Sequence, residues 1–418
     1  MAVPASMGLN SNCTLREPVL HLVNSRLKIA FLTQGDPLDR RTWSGINHYM
    51  AKALQKHCGD VSFLGPVRSR LEIFGKLLNK ASRIFLKKRY NYTHSVFLAK
   101  RYARIIEQKI AAESFDLIFS PSASTVVAFV KTDTPVAYLS GTTFSLMNNY
   151  YPYFCNLLDT SVRQGNIIEG LAIKKASLIL YASQWAAQSA VDDYGADKTK
   201  MHVLPFGANL DEVYPRETVL KKRRTDRCTL LFLGVDWQRK GGDIAFETLL
   251  RLEDLGVRAH LIVCGCKPPI GLSHERMKVI PFLDKNDNQQ RRELMDLLFT
   301  SDFLLLPTRS ECFGIVFCEA NAFGLPVITT DTGGVSGAIE QNKNGLMLPP
   351  DAGGLEYAKL IQELYQDEQR YRDLVRSSRA AYEERLNWDA WGIEVNKLIS
   401  ETLSSKARGM RVARSSAT

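Results

Sequence analysis

The sequence predicts an α/β protein made of two doubly wound, parallel-sheet domains that face each other across a central cleft. Three observations lead there. The chain has 418 residues, too many for one ordinary domain and well suited to two. Short, continuous apolar runs alternate with helical-period stretches almost from end to end, as expected when helices cover both faces of a parallel sheet. A polar stretch at Glu212–Cys228, with Pro215 and the cluster Lys221-Lys222-Arg223-Arg224, divides that alternation into two halves.

In the first half the expected strands are Lys28–Thr33, Val61–Leu64, Asp116–Ser120, Val136–Leu139, Leu178–Ala182 and Met201–Leu204, with helices between them such as Gly45–His57, Leu98–Ala112 and Gln184–Tyr194. The second half repeats the scheme, with strands at Leu230–Leu233, His260–Cys264, Phe303–Leu306, Val327–Thr329 and Gly345–Leu348. Its helices are expected at Asp243–Leu255, Asn288–Phe299, Phe313–Phe323 and Gly334–Gln341. After Asp351 the pattern is helical and amphipathic to about Ser400. The resulting layout is a poorly ordered extension (1–26), a first domain (27–210), a linker (211–228), a second domain (229–385), a closing helix (386–405) and a basic tail (406–418). In such sheets the carboxyl ends of the strands point into the cleft, where ligands bind.

Composition narrows the class further. Hydrophobic residues make up 45% and charged residues 23%, ordinary globular values that argue against disorder. No run of eighteen apolar residues is present to span a membrane as a helix. The first 26 residues lack the continuous apolar core of a secretory signal. The eight cysteines follow neither disulfide nor zinc spacing, and Cys264-Gly-Cys266 is too tight for a zinc knuckle, so buried thiols in a reducing cytoplasm are expected. The net charge is +10, and the segment from Arg68 to Lys109 alone, with twelve Lys or Arg against two Glu, accounts for all of it. A nucleic-acid binder with a uniformly basic surface would not look like this.

The most informative stretch runs from Asp302 to Pro349. The strand Phe303–Leu306 ends at Pro307, a short polar loop follows, and a helix begins near Phe313. A helix start leaves backbone N–H groups unpaired and carries partial positive charge, and Gly314 keeps this one bare enough for an anion to approach. Glu311 precedes that start, and Glu319 lies inside a largely apolar helix. Two carboxylates flanking an anion-binding helix end suit a ligand with hydroxyls on both sides of its phosphates, because carboxylates accept charge-assisted bonds from hydroxyls. Upstream, Leu231-Phe-Leu-Gly234 leads into a turn with Arg239, Lys240, Gly241 and Gly242. This pairs a guanidinium fork with a point charge, a good combination for a diphosphate.

Glu311-x7-Glu319, with Phe313-Gly314 between and Gly-Leu-Pro-Val-Ile-Thr-Thr-Asp-Thr-Gly-Gly after it, resembles the paired-glutamate motif of retaining GT-B glycosyltransferases, family 4 (glycosyl transferases group 1). The resemblance extends from Lys28 to about Ser400 and implies a GT-B fold of two Rossmann-like domains, the first on the acceptor side and the second binding the nucleotide sugar. It implies transfer of a sugar from a nucleotide-diphosphate donor to a glycan, lipid-linked glycan or small molecule, with retention of configuration and no metal or other cofactor. It assigns Glu311 and Lys240 to catalysis, Glu311 through the donor-sugar hydroxyls, and Glu319 to the ribose. Arg239, Lys240 and the amides of Phe313, Gly314 and Ile315 would hold the diphosphate, and Gly45 would close over it from the first domain. Pro205-Phe-Gly207-Ala-Asn209-Leu-Asp211 resembles the family's hinge, and Val279–Leu283 its base-holding segment. The sequence departs from the family in two places. Val235 stands where many members have Arg, and no histidine occurs at Ser120-Pro121-Ser122 or Ser140-Gly141-Thr142-Thr143, where many carry one. A same-face mechanism, with the leaving diphosphate taking the acceptor proton, needs no such base.

Two further features concern the acceptor side. Leu71–Arg89 divides at 100° per residue into an apolar side (Phe74, Leu77, Leu78, Ala81, Ile84, Phe85) and a cationic one (Lys76, Lys80, Arg83, Lys87). Such a helix either lies on an anionic membrane, at the inner face if the protein is cytoplasmic, or packs its apolar stripe on the domain. Tyr150-Tyr151-Pro152-Tyr153-Phe154 suits either stacking on an acceptor sugar or core packing. Other readings are a different GT-B enzyme, such as a sugar-nucleotide epimerase, or a non-catalytic nucleotide-sugar-binding protein. A nicotinamide dehydrogenase is disfavoured because no G-x-G-x-x-G follows the first strand.

Overall fold

The computed structural model describes residues 26–222 and 226–415. The extension expected before Arg26, and Arg223 and Arg224 of the linker cluster, lie outside the described residues. The first sheet contains β1 (Leu27–Phe31), β2 (Gly59–Phe63), β3 (Leu117–Pro121), β4 (Val136–Ser140), β5 (Leu178–Tyr181) and β6 (Met201–Val203), in the order β2-β1-β3-β4-β5-β6. Every pairing is parallel. Its helices are α1 (Ile46–His57), α2 (Glu72–Phe85), α3 (Val96–Ile110), α4 (Ser124–Val127), α5 (Phe144–Met147), α6 (Asp159–Lys175) and α7 (Gln184–Tyr194). The inner strands β1, β3, β4 and β5 are largely apolar and buried, as a sheet covered on both faces requires, while the edge strands β2 and β6 are mostly half-exposed.

A short helix, α8 (Arg216–Leu220), occupies the linker. The second sheet contains β7 (Cys228–Leu233), β8 (Ala259–Cys264), β9 (Met277–Ile280), β10 (Phe303–Leu306), β11 (Val327–Thr330) and β12 (Gly345–Leu348), ordered β12-β11-β10-β7-β8-β9 and again parallel. The helices α9 (Gly242–Asp254), α10 (Asn288–Thr300), α11 (Ile315–Ala322), α12 (Gly354–Gln366) and α13 (Glu368–Glu384) surround it, and α14 (Trp388–Ser415) closes the chain. Strand order reverses between β7 and β10. This is the topological switch point at which loops from neighbouring strands diverge and leave a crevice.

The chain crosses between domains twice, at adjacent places. The amide of Ala208 donates to Leu386 O at 2.8 Å, and the Trp388 indole N–H donates to Asn209 Oδ1 at 2.9 Å. Beyond this crossing α14 packs on α1 of the first domain, where His57 meets Asp389 at 2.7 Å. The helix runs on to Ser415, through the stretch read as a tail from residue 406.

The structure corrects one expected helix, adds one strand, and does not bear out one of the two readings of α2. Gly334–Gln341 forms only a single 3₁₀ turn, Val335–Gly337, because Gly333 and Gly334 hold a tight loop against Glu311. β9 was not expected as a strand, since Met277–Ile280 is short and contains Lys278. The apolar stripe of α2 does not pack on the domain: Gly75 and Ser82 are the buried residues of that helix, while Phe74 is 63% and Phe85 82% exposed.

Candidate functional site

The turn after β7 and the loop after β10 meet at the switch point. The amide of Arg309 donates to Arg239 O at 2.8 Å, which ties the two loops together through the backbone. This contact places Lys240 beside Glu311. Lys240 Nζ is ion-paired with Glu311 Oε2, and both residues are buried. Arg239 lies 3.8 Å from the same carboxylate, donates to Ser310 O at 2.9 Å and stands 5.0 Å from the Tyr151 ring centroid. Burial would raise the Glu311 pKa, but the charges of Lys240 and Arg239 outweigh it and hold the carboxyl below its usual value. Glu311 is therefore an ionised carboxylate in a dry place.

Three residues downstream, Gly314 is the N-cap of α11, with φ of 86° and ψ of 70°. That left-handed conformation is open to glycine, and a Cβ would run into the Phe317 ring. Among the described residues, the amides of Phe313, Gly314 and Ile315 have no acceptor in the chain, as expected at a helix start. Unpaired N–H groups, a helix dipole and two cations thus converge on the end of the switch-point crevice. A hollow beside Arg239 is lined by Val235, Trp237, Cys266 and Pro268.

Glu319 lies further along α11 and does not touch Glu311. It is 2% exposed and ion-paired with Lys285, whose Nζ is 3.5 Å from Asn209 O. Burial dominates here: it raises the Glu319 pKa despite the Lys285 charge. No sequence signal marked Lys285, a lysine in a polar loop between β9 and α10.

Gly45 stands on the first-domain side, with φ of 86°, and caps α1. Its loop is fixed to the hinge by Asn209 Nδ2, which donates to Ser44 O at 2.8 Å. One turn further on, burial above all, with the negative charge of Asp211, pushes the Tyr49 hydroxyl well up. Around the hinge, Asp211 gathers Arg40 at 2.6 Å, Lys52 at 3.4 Å and Arg291 at 3.5 Å, so cations of both domains share one carboxylate.

Tyr150 and Tyr151 are the first-domain groups that reach Glu311. The Glu311 amide donates to Tyr150 Oη at 2.9 Å, and the Tyr151 hydroxyl donates to Glu311 Oε1 at 3.4 Å. The Tyr150 ring also packs against Trp185 and Tyr151, and Phe154 packs against His94 and Phe144. The serines at the strand ends face each other instead, with Ser122 and Ser140 hydroxyls 3.4 Å apart. Asp192 and Asp193 bond Gln188 and Ser189 within α7, so they serve that helix.

Comparison with known proteins agrees with this layout. Residues 217–381 match the family described as "Glycosyl transferases group 1". Among curated proteins, the chain is 29% identical over 255 residues to a D-inositol 3-phosphate glycosyltransferase of Xylanimonas cellulosilytica, covering 55% of this chain and 58% of that protein. A protein of the same description from Corynebacterium jeikeium is 24% identical over 59% of this chain and 62% of its own length. The chain thus spans between half and two thirds of these relatives. Among solved structures, a sucrose-phosphate synthase from Thermosynechococcus elongatus superposes with a TM-score of 0.64 at 17% identity, covering 91% of this chain and all of the other. Anabaena HepE in complex with UDP-glucose superposes at 0.59 with 18% identity and the same coverage. The match to the glycosyl transferases group 1 family thus covers residues 217–381, and the chain as a whole has a GT-B fold.

Proposed function

We propose that the protein is a glycosyltransferase that moves a hexosyl group from a nucleotide-diphosphate sugar to a glycan, a lipid-linked glycan or a small molecule, with retention of anomeric configuration. The observation that carries this reading is the Lys240–Glu311 pair beside the open amides of Phe313, Gly314 and Ile315. In the reading, those amides with Arg239 and Lys240 neutralise the diphosphate, a leaving group whose negative charge grows as the bond to the sugar breaks. Glu311 accepts bonds from the sugar hydroxyls next to the reacting carbon. Glu319 takes the ribose, sharing it with Lys285, and Gly45 closes from the first domain.

The acceptor oxygen bonds to the anomeric carbon on the face that the diphosphate leaves. The bond from that carbon to the diphosphate oxygen breaks with its electron pair, and the acceptor proton passes to the departing oxygen. Among the described residues, no second carboxylate beside Glu311 is identified as a nucleophile, and the same-face step needs none. Tyr151, which donates to Glu311 from the first domain, keeps that carboxylate oriented.

A thermal-shift screen of UDP-, GDP- and ADP-sugars, starting with UDP-glucose because a structural neighbour holds it, tests donor binding. Transfer to a simple acceptor followed by proton NMR of the product tests the stereochemistry. Stabilisation by a nucleotide sugar and an anomeric signal like the donor's are expected. An inverted anomer would overturn the mechanism, and no response to any donor would overturn the function.

A further inference from the structure

We infer that the exposed apolar face of α2 docks the protein on an anionic lipid bilayer. Water-soluble domains bury the apolar stripe of a surface helix, but α2 is mounted the other way round. Its attachment is a narrow strip of small and polar groups. Gly75 lies against the Tyr92 ring, Ser82 donates to Lys88 O at 2.7 Å, and Glu72 accepts from the Ser69 amide and the Tyr102 hydroxyl. Ile73, Phe74, Leu77, Leu78, Ile84 and Phe85 then face water, each more than half exposed.

The arrangement around the helix favours a bilayer over a protein partner. At 100° per residue the apolar residues fill roughly 140° of the circumference, the attachment strip follows, and Lys76, Lys80 and Arg83 take the remaining flank, with Lys87 just past the end of the helix. All four cations are exposed, as are Arg68 and Arg70 just before the helix. Eight of the twelve cations of the basic segment Arg68–Lys109, from Arg68 to Arg89, therefore lie on or beside this helix with its outward apolar face. Apolar residues at acyl depth with lysines and arginines at headgroup level are what an interfacial helix requires.

The same helix is tied to the candidate site. Asn156 Nδ2 donates to Lys87 O at 2.7 Å, the Arg89 amide donates to Asn156 O at 2.8 Å, and Arg89 Nη1 donates to Pro152 O at 2.9 Å. That segment begins with Tyr150 and Tyr151, which contact Glu311. A bilayer under α2 would lie at one end of a short strap whose other end touches Glu311, an arrangement suited to an acceptor carried on lipid. The docking surface stands on α2 alone, and only the lipid-borne acceptor rests on the glycosyl-transfer reading.

Sedimentation of the full chain with vesicles of phosphatidylcholine alone, and of phosphatidylcholine mixed with phosphatidylglycerol, tests the proposal. The chain should pellet with the mixed vesicles, less so as salt rises. The Phe74→Asp, Phe85→Asp double variant should lose roughly tenfold or more of that binding, and Lys80→Glu should weaken it while leaving α2 folded by circular dichroism. Equal pelleting on both vesicle types, or a folded double variant that pellets like the parent, would overturn it. So would a dimer in light scattering that Phe85→Asp dissociates, since a second copy would then cover the face. Vesicle binding is read without donor, so its failure stays separate from a failed nucleotide-sugar screen.

Discussion

Glu311 is a carboxylate kept charged where burial alone would protonate it, and its partners define what substitution does. Glu319→Ala and Lys240→Ala are each expected to weaken donor binding by roughly 10–100-fold, the scale of one or two charge-assisted bonds, while Glu311→Ala mainly lowers kcat. Titration calorimetry with the donor and a transfer assay separate the two effects, and near-parental constants for all three variants would refute the assignment. Lys240→Ala leaves Glu311 with Arg239 as its one remaining cation among the described residues, so it should lower stability by about 1–3 kcal/mol, and adding Glu311→Ala should restore much of that. That Arg239, Lys240 and Glu311 gather at one place could be anticipated from the sequence, because a strand, a polar loop, a bare glycine and a helix start make an arrangement that suits an anion. Lys285, Tyr150 and Tyr151 were not legible in these roles. Their partners lie 34, 161 and 160 residues away in sequence, and only the fold brings them together.

At the scale of elements, α11 depends on its first residue. Gly314→Ala forces a side chain into a left-handed backbone and against Phe317, so a loss of about 1–2 kcal/mol and a collapse of donor affinity are expected. A Tm unchanged by that substitution would show that the cap relaxes freely. A second element-level device joins β4 to α6, where the Tyr138 hydroxyl donates to Glu169 Oε1 at 2.8 Å. Burial pushes the Glu169 carboxyl up to about 7, so the fold holds a proton that the unfolded chain releases near 4.5. Its contribution is complete below pH 4.5 and is lost as pH rises to about 7, a change on the order of 3 kcal/mol. Glu169→Gln should flatten stability across that window, and a parent-like slope in pH-resolved denaturation would rule this out. Most strands were readable to within a residue or two because parallel strands buried on both faces leave continuous apolar runs. α2 was readable as a helix but not in its orientation, since periodicity gives the faces of a helix and not what covers them.

For the whole molecule, the decisive feature is the return of the chain to its first domain. Trp388 bonds Asn209 and stacks on Phe206, and Phe206 meets Phe313, so one aromatic column runs from the closing helix to the start of α11. Trp388→Ala should cost about 3–5 kcal/mol at that column. It should also split one calorimetric transition into two, and a single undivided transition would argue that the halves are coupled elsewhere. Two covalent passages set side by side, at Ala208 and Leu386, behave like the pair of pins on one edge of a door. They leave swinging open and shut as the cheap motion and resist both twisting and sliding. Arg40 and Arg291 on Asp211 lie near that edge, so a closing of the crevice is expected to turn about an axis that the backbone itself has drawn, an expectation that small-angle scattering with and without a nucleotide sugar checks.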